Sequence, residues 1–269
     1  MEAPRLNELI VLVRGAGEMA TGVAHRLWRA HFLVCMTETA EPLAIRREVS
    51  FCEAIHDGEK TVEGVTAKRV IDVEAVRATW ERGKIPVLVD PGAVVKGFLK
   101  PHVLVDAILA KRNLGTAMTD AALVIGLGPG FVGGEDVHLV IETNRGHNLG
   151  RLIWEGSAEA DTGIPGNVGG YTAERVLRAP RAGRFEALKK IGDLVEENEP
   201  VAEVDGAPMR SRIAGVLRGI LRDGTSVEKG MKSGDVGPRG KREACFTISD
   251  KARAIGGSVL EGILATFNR

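Results

Sequence analysis

Apolar runs alternating with amphipathic segments, a glycine-rich turn between the first such pair, and a later stretch of short β pieces cut by turn dipeptides predict an α/β fold. The expected architecture is a Rossmann-like, doubly wound, mostly parallel sheet. A small C-terminal β sandwich module of the biotinyl/lipoyl-like kind should follow it. The expected divisions are 1–183 for the Rossmann-like domain with a Gly-rich insert, 184–240 for the β barrel-sandwich module, and 241–269 for a helical segment.

The runs at 9–13, 32–36, 86–90, 102–107, 122–127 and 137–142 are almost continuously apolar. That texture suits strands buried on both faces of a parallel sheet, where alternation is lost. Helical patterns are read between them at 18–30, 42–55, 73–82 and 106–112. The stretch 145–183 is rich in glycine and polar residues, with one helix expected at 171–178. It is too long for an idle loop, and segments of this length usually serve a site. From 184 onward, turns are read at Asp205-Gly206, Ala214-Gly215 and Asp223-Gly224. A weak repeat of 32 residues carries Gly192, Val195, Glu196 and Val204 onto Gly224, Val227, Glu228 and Val236. Two β units about a pseudo-two-fold would give that pattern. A swinging-arm domain needs a carrier lysine at a hairpin tip, and there is none between Lys190 and Lys229. The final stretch reads as a helix capped by Ser249 or Asp250.

Composition narrows the function. The 36 basic residues balance 36 acidic ones, so no electrostatic footprint for nucleic acid or a membrane surface is present. Aromatic residues make up 4% of the chain, too few for base-stacking platforms. No apolar run reaches the roughly 20 residues that span a bilayer. The acidic opening "MEAPRLNE" does not read as a leader, and a cytoplasmic protein is expected. Cys35, Cys52 and Cys245 are widely spaced, with no C-x-x-C or H-x-x-x-H pair, so neither a disulfide framework nor a metal site is expected.

The turn "RGAGEMA" carries the first chemistry. Gly15, Gly17 and Ala20 fit G-x-G-x-x-A after a strand and before a helix. Gly15 permits the tight turn, Gly17 lets a phosphate approach the backbone, and Ala20 keeps the helix close to the sheet. The helix start then offers N–H groups and the positive end of its dipole to an anion. Glu38, about twenty residues on at the end of the next strand, stands where an acid would bind ribose hydroxyls. The same glycines also fit a domain in which they serve only close packing. Glu18 suits the helix dipole but competes with a phosphate.

Asp90, Pro91 and Gly92 follow a buried strand and should line the crevice at its carboxyl end. "GLGPG" supplies Gly126, Gly128 and Gly130 either as an anion nest or as a plain turn connection. Arg46 and Arg47 could clamp a phosphate or simply lie on an exposed helical face. Glu142, Arg145 and His147 are candidate substrate contacts after a strand. Tyr171 is followed four residues later by Arg175 rather than Lys, and neither G-x-S-x-G nor a P-loop is present. No catalytic acid, base or nucleophile is assigned. From these residues an NAD-dependent oxidoreductase and a scaffold with a vestigial nucleotide site both stay open.

The motifs "RGAGEMATGVAHRL", "PLAIRREVSFCEAI", "DGEKTVEGV", "GLGPGFVGGEDVHLVIETNRGHNLG", "TGIPGNVGGYTAERVLRAP" and "ACFTISDKARAIGGSVLEGIL" resemble the YqeB family across nearly the whole chain. The family is placed in the maturation system of selenium-dependent molybdenum hydroxylases and is related to xanthine dehydrogenase accessory factors. The resemblance implies a cytoplasmic maturation protein that binds a pterin-dinucleotide molybdenum cofactor or a related nucleotide. It implies an apo molybdenum hydroxylase as partner, with a sulfurase or selenium-transfer protein as a further one. The chain departs from the family's pattern at Glu18, where Asp is usual. A pterin dinucleotide carries a pyrophosphate like that of NAD, so the turn could serve either ligand.

Overall fold

The computed structural model describes residues 5–268; the first four residues of the acidic opening stretch lie outside them. The chain divides into two compact units. The first runs to Pro42 and takes in Ser50–Asp161 and the segment from Ile248 onward, and the second comprises Leu43–Val49 and Thr162–Thr247. Against the expected divisions, the Gly-rich stretch is shared between the units. The C-terminal helix belongs to the first unit.

In the first unit the chain passes through β1 (Ile10–Arg14), α1 (Glu18–Arg29), β2 (Leu33–Glu38), α2 (Ala54–Asp57), β3 (Glu59–Val62), β4 (Val65–Val70), α3 (Glu74–Glu81), β5 (Ile85–Val89) and α4 (Lys96–Leu99). It continues through β6 (Val103–Asp106), β7 (Leu123–Leu127), β8 (Val132–Gly133), β9 (Leu139–Ile141), β10 (Leu152–Ile153) and β11 (Gly156–Ser157). Nine strands make one sheet in the order β10-β9-β7-β6-β1-β2-β5-β4-β3. Its seven inner strands run parallel, while β3 pairs antiparallel with β4 and β10 antiparallel with β9.

The doubly wound Rossmann-like expectation is therefore corrected. The sheet is mixed, and β5 lies between β2 and β4, which breaks the 3-2-1-4-5-6 order. The crossovers from β6 to β7 and from β7 to β9 contain no α-helix. The segment 42–55, read as one helix, holds two 3-10 turns and the start of α2, and 106–112 is loop after the last residue of β6. Continuous apolar runs reported that both faces are buried but not what buries them. On one face α1 is joined by the C-terminal helix α5 (Asp250–Phe267), which also packs on β7 and β9. On the other, Val76 of α3 packs with Leu12, Leu88, Leu104 and loop residues such as Phe131.

The N-terminus of α5 is capped as expected, with Ser249 Oγ accepting from the Ala252 N–H at 3.3 Å. Its crossing with α1 depends on Gly22. A Cβ there would meet Ala252 Cβ at 2.7 Å and the Ala252 carbonyl oxygen at 2.8 Å. Gly22→Ala should accordingly destabilise the protein by roughly 1–3 kcal/mol in urea unfolding. Helix propensity alone would stabilise by about 1 kcal/mol, so a gain in stability would show that the crossing yields at no cost.

The second unit holds β12 (Val176–Arg178), β13 (Gly183–Ala187), β14 (Leu194–Val195), β15 (Pro200–Val204), β16 (Ala207–Arg210), β17 (Gly215–Ile220), β18 (Ser226–Val227) and β19 (Lys232–Gly237). They form two four-stranded sheets, β12-β19-β17-β14 and β16-β15-β13-β18. Phe185, Leu217, Val201 and Val236 are among the residues of its core. The expected biotinyl/lipoyl-like sandwich of 184–240 is corrected to this two-sheet unit. It starts at Thr162 and takes in Leu43–Val49, whose Ile45 carbonyl accepts from Ile220 N–H at 2.9 Å. One pair of the 32-residue repeat, Gly192 and Gly224, is matched in its bonds. Gly192 N–H donates to Leu217 O and Gly224 N–H to Phe185 O, each at 2.8 Å, with both glycines at positive φ. The expected helix at 171–178 is a 3-10 turn leading into β12.

Candidate functional site

The carboxyl ends of β1, β2, β5 and β6 are held together by a web of short bonds around the glycine turn. Gly15, at φ +94°, sends its N–H to Thr37 O at 2.8 Å. A Cβ on it would also press against Ala107 O at 3.2 Å, so this glycine is required twice over. Ala16 N–H donates to Glu38 Oε2 at 2.8 Å, and Thr39 N–H donates to the other oxygen at 2.8 Å. On the far side of the turn Ala16 O accepts from Cys52 N–H at 2.8 Å and from Thr21 Oγ1 at 3.2 Å. The turn is thus fixed before any ligand arrives.

Gly17 differs from its neighbours. It is the N-cap of α1, with φ −68° and ψ −173°, a conformation open to any residue. A Cβ built on it meets nothing within 4 Å. Neither backbone geometry nor packing within the protein calls for glycine there. Ala20, in the first turn of α1, is fully buried.

The structure brings Asp90–Gly92 to the same edge. Asp90 N–H donates to Glu38 O at 2.9 Å, and Asp90 Oδ2 accepts from Val95 N–H at 2.8 Å, folding the loop back on itself. Pro91 and Gly92 are exposed. Exposed Val89, Val94, Ile108 and Leu114 lie on this edge, on β5 and on the loops that follow β5 and β6. The glycines of 126–130 are accounted for differently. A Cβ on Gly126 would strike the Phe131 ring at 2.6 Å, one on Gly128 would overlap Thr143 Oγ1, and one on Gly130 would strike Arg112 N at 2.6 Å. Gly128 N–H is already given to Ile141 O at 2.9 Å. Close packing explains all three.

Sequence reasoning missed the buried ion pair beneath the turn. Arg14, the last residue of β1, places Nη1 3.0 Å from Asp106 Oδ2 at the end of β6. Both side chains are more than nine-tenths buried. Thr116 Oγ1 donates to the same carboxylate at 2.6 Å and accepts from Arg14, and Ile108 N–H donates to its other oxygen at 3.2 Å. Arg14 Nη2 donates to Pro91 O at 3.3 Å, linking the pair to the 90–92 loop, while Nε is buried without a partner. A charged residue ending an apolar run was the available signal.

Other expected contacts serve the framework. Arg46 and Arg47 donate to carbonyls of Ala244 and Ile220 within the second unit, at 2.8 and 2.9 Å, rather than forming a phosphate clamp. Glu142 is buried and accepts the N–H groups of Asn144 at 2.6 Å and Glu159 at 2.7 Å, organising the loop after β9. Arg145 makes a bidentate pair with Asp250 at 2.6 and 2.9 Å, and His147 is exposed. A concavity of about 700 Å³ lined by Trp28, His31 and Trp80 lies past the C-terminal end of α1, away from the turn.

All three cysteines are free and buried. Burial raises each thiol's pKa, reinforced at Cys35 by Asp90 and at Cys52 by Glu38 and Glu53. Iodoacetamide at neutral pH should leave the native protein at its unmodified intact mass and add three carbamidomethyl groups after unfolding. Rapid native labelling at any of the three would contradict that burial.

Among the described residues no group of three His, Cys, Asp or Glu is placed to hold a metal ion, and no helix is long and apolar enough to cross a membrane. The class defined so far is an α/β protein with a preformed glycine turn on the carboxyl edge of a mixed sheet. The chain is 50% identical over 261 residues to the uncharacterized protein YqeB of Escherichia coli (strain K12), covering 97% of this chain, which supports membership of the YqeB family. It spans about half of that relative, 48% of its length. No family model matches the chain. Solved structures found similar include the ectoine utilization protein EutE (DoeB) from Ruegeria pomeroyi, with 12% identity, 86% of this chain and 85% of that one covered, and a TM-score of 0.26. An aspartoacylase family protein from Mesorhizobium loti has 10% identity, 85% of each chain covered and a TM-score of 0.28. TcdA (CsdL) has 12% identity, 98% and 90% covered, and a TM-score of 0.33. Scores this low carry no argument about fold or activity.

Proposed function

We propose that the first unit binds a nucleotide diphosphate ester, with its phosphates on the Gly17 turn, and that the ligand is a pterin-dinucleotide molybdenum cofactor. The observation that supports this is Gly17 itself: a glycine with ordinary φ and open space where its side chain would be. Its value is to let a ligand reach the start of α1, where N–H groups and the helix dipole favour an anion. Glu38 accepts one N–H on each oxygen, and a carboxylate oxygen has lone pairs to spare for ribose hydroxyls. Pro91 and Gly92, with the exposed apolar side chains of the same edge, give a ring system a surface to rest on. Gly126, Gly128 and Gly130 shape the neighbouring wall by packing.

In this reading the protein holds the cofactor through its phosphates and sugar, and the chain supplies position rather than acid–base chemistry. It acts as a cytoplasmic maturation factor that passes the cofactor to an apo molybdenum hydroxylase, with a sulfurase or selenium-transfer protein as a further partner. The pathway rests on the similarity to YqeB, and the phosphate site rests on the turn. Mass spectrometry of small molecules released by denaturing the purified protein, with molybdenum quantified in parallel, tests both. A pterin dinucleotide is the expected result. A nicotinamide dinucleotide without metal would replace the ligand and favour an oxidoreductase.

A further inference from the structure

We propose that Lys251, on the first turn of α5, is a ligand-binding residue that pairs with the phosphates seated on the Gly17 turn. This rests on the reading just given and adds a residue that the glycine motif does not contain.

Lys251 is placed there by the helix crossing. Ala252 is the residue that touches Gly22, and Glu18 lies one helical turn before Gly22. Lys251 therefore precedes the crossing on α5 as Glu18 does on α1, and the two side chains lie within electrostatic range of each other.

In the protein alone, Lys251 is poorly accommodated. It is half-buried, and its ammonium makes no hydrogen bond or ion pair among the described residues. Two further cations, Lys111 and Arg145, lie within electrostatic range of it. Each of those has its own carboxylate, since Lys111 lies 3.8 Å from Asp161 and Arg145 is bidentate to Asp250. Two carboxylates in range, Glu18 and Glu142, partly offset this, and the second of these is occupied by two backbone N–H groups. Lys251 also stands two residues after the Ser249 N-cap, where the dipole of α5 disfavours a cation. Desolvation, followed by Lys111 and Arg145, lowers its pKa.

Three separate penalties on one side chain describe a charge waiting for a counter-ion. The cation group matches a diphosphate better than a single phosphate, because linked phosphoryl groups bring at least two negative charges to one place. Bound there, an anionic ligand would offset all three penalties at once.

The test is calorimetric titration of inorganic pyrophosphate, with inorganic phosphate alongside, into the full chain and its variants at constant ionic strength. Lys251→Gln should weaken pyrophosphate binding on the order of ten-fold or more, as expected for a hydrogen bond to a charged group. Lys251→Arg should retain binding. Wild-type affinity should fall as pH rises through the lowered lysine pKa, and Lys251→Gln should lack that dependence. The ligand-free Lys251→Gln protein should also melt higher than wild type, which a merely structural lysine would not give. Unchanged pyrophosphate affinity in Lys251→Gln, with binding weakened in Gly17→Asp, would overturn the role of Lys251 and leave the turn standing. Failure of the wild type to bind pyrophosphate would overturn both.

Discussion

Asp106→Ala should destabilise the protein by about 3–5 kcal/mol, the cost of leaving a buried charge without its partner. Arg14 and Asp106 are both more than nine-tenths buried, 3.0 Å apart, and Arg14 Nε already lacks a partner. Removing the carboxylate strands the guanidinium and also frees the Thr116 hydroxyl and the Ile108 N–H, whose acceptors are the two Asp106 oxygens. The pair itself is a weaker source of stability than its geometry suggests, because both ions lose their water on folding. Arg14→Met combined with Asp106→Leu should therefore be more stable than Asp106→Ala alone. Urea unfolding of the three proteins decides the matter. A loss below about 1 kcal/mol in the single variant would mean that water reaches the guanidinium. Because Arg14 also donates to Pro91 O, the double variant should loosen the 90–92 loop.

Gly17→Asp should weaken ligand binding by some thirty-fold or more while leaving the fold intact. Its φ and ψ suit any residue, its Cβ meets nothing, and an Asp at an N-cap improves on Gly by a few tenths of a kcal/mol. The same carboxylate would stand against the phosphates and cost roughly 2–4 kcal/mol of binding, a loss of some thirty-fold to several hundred-fold. The expected signature is opposite signs, with a melting temperature at or above wild type and pyrophosphate affinity weakened. Retained affinity in a folded Gly17→Asp protein would remove the phosphates from this turn. Gly15→Ala is the useful contrast, because φ +94° makes it fail by strain and lose stability.

Much of the local structure was legible in the sequence because it depends on neighbours in the chain. The β1–turn–α1 unit, β2 ending at Glu38, β5 before Asp90 and the Ser249 cap follow from apolar runs, glycine spacing and cap chemistry. One pair of the 32-residue repeat, Gly192 and Gly224, was legible for the same reason, since both are turn glycines at positive φ. The β3–β4 hairpin was missed. Polar residues interrupt both strands, Glu59, Lys60 and Thr61 in β3 and Thr66, Lys68 and Arg69 in β4, so neither gives a continuous apolar run.

What the sequence by itself determined is the glycine turn and the set of strands buried on both faces, which short-range sterics and apolar patterning specify. Only the tertiary structure decided the mixed strand order, the return of α5 onto α1, and the boundary at Thr162. It also decided which glycines packing requires and which it does not, separating Gly17 from Gly22, Gly126, Gly128 and Gly130. These depend on contacts between residues far apart in the chain. Arg14 with Asp106, and Gly22 with Ala252, acquire their meaning only when the fold brings them together.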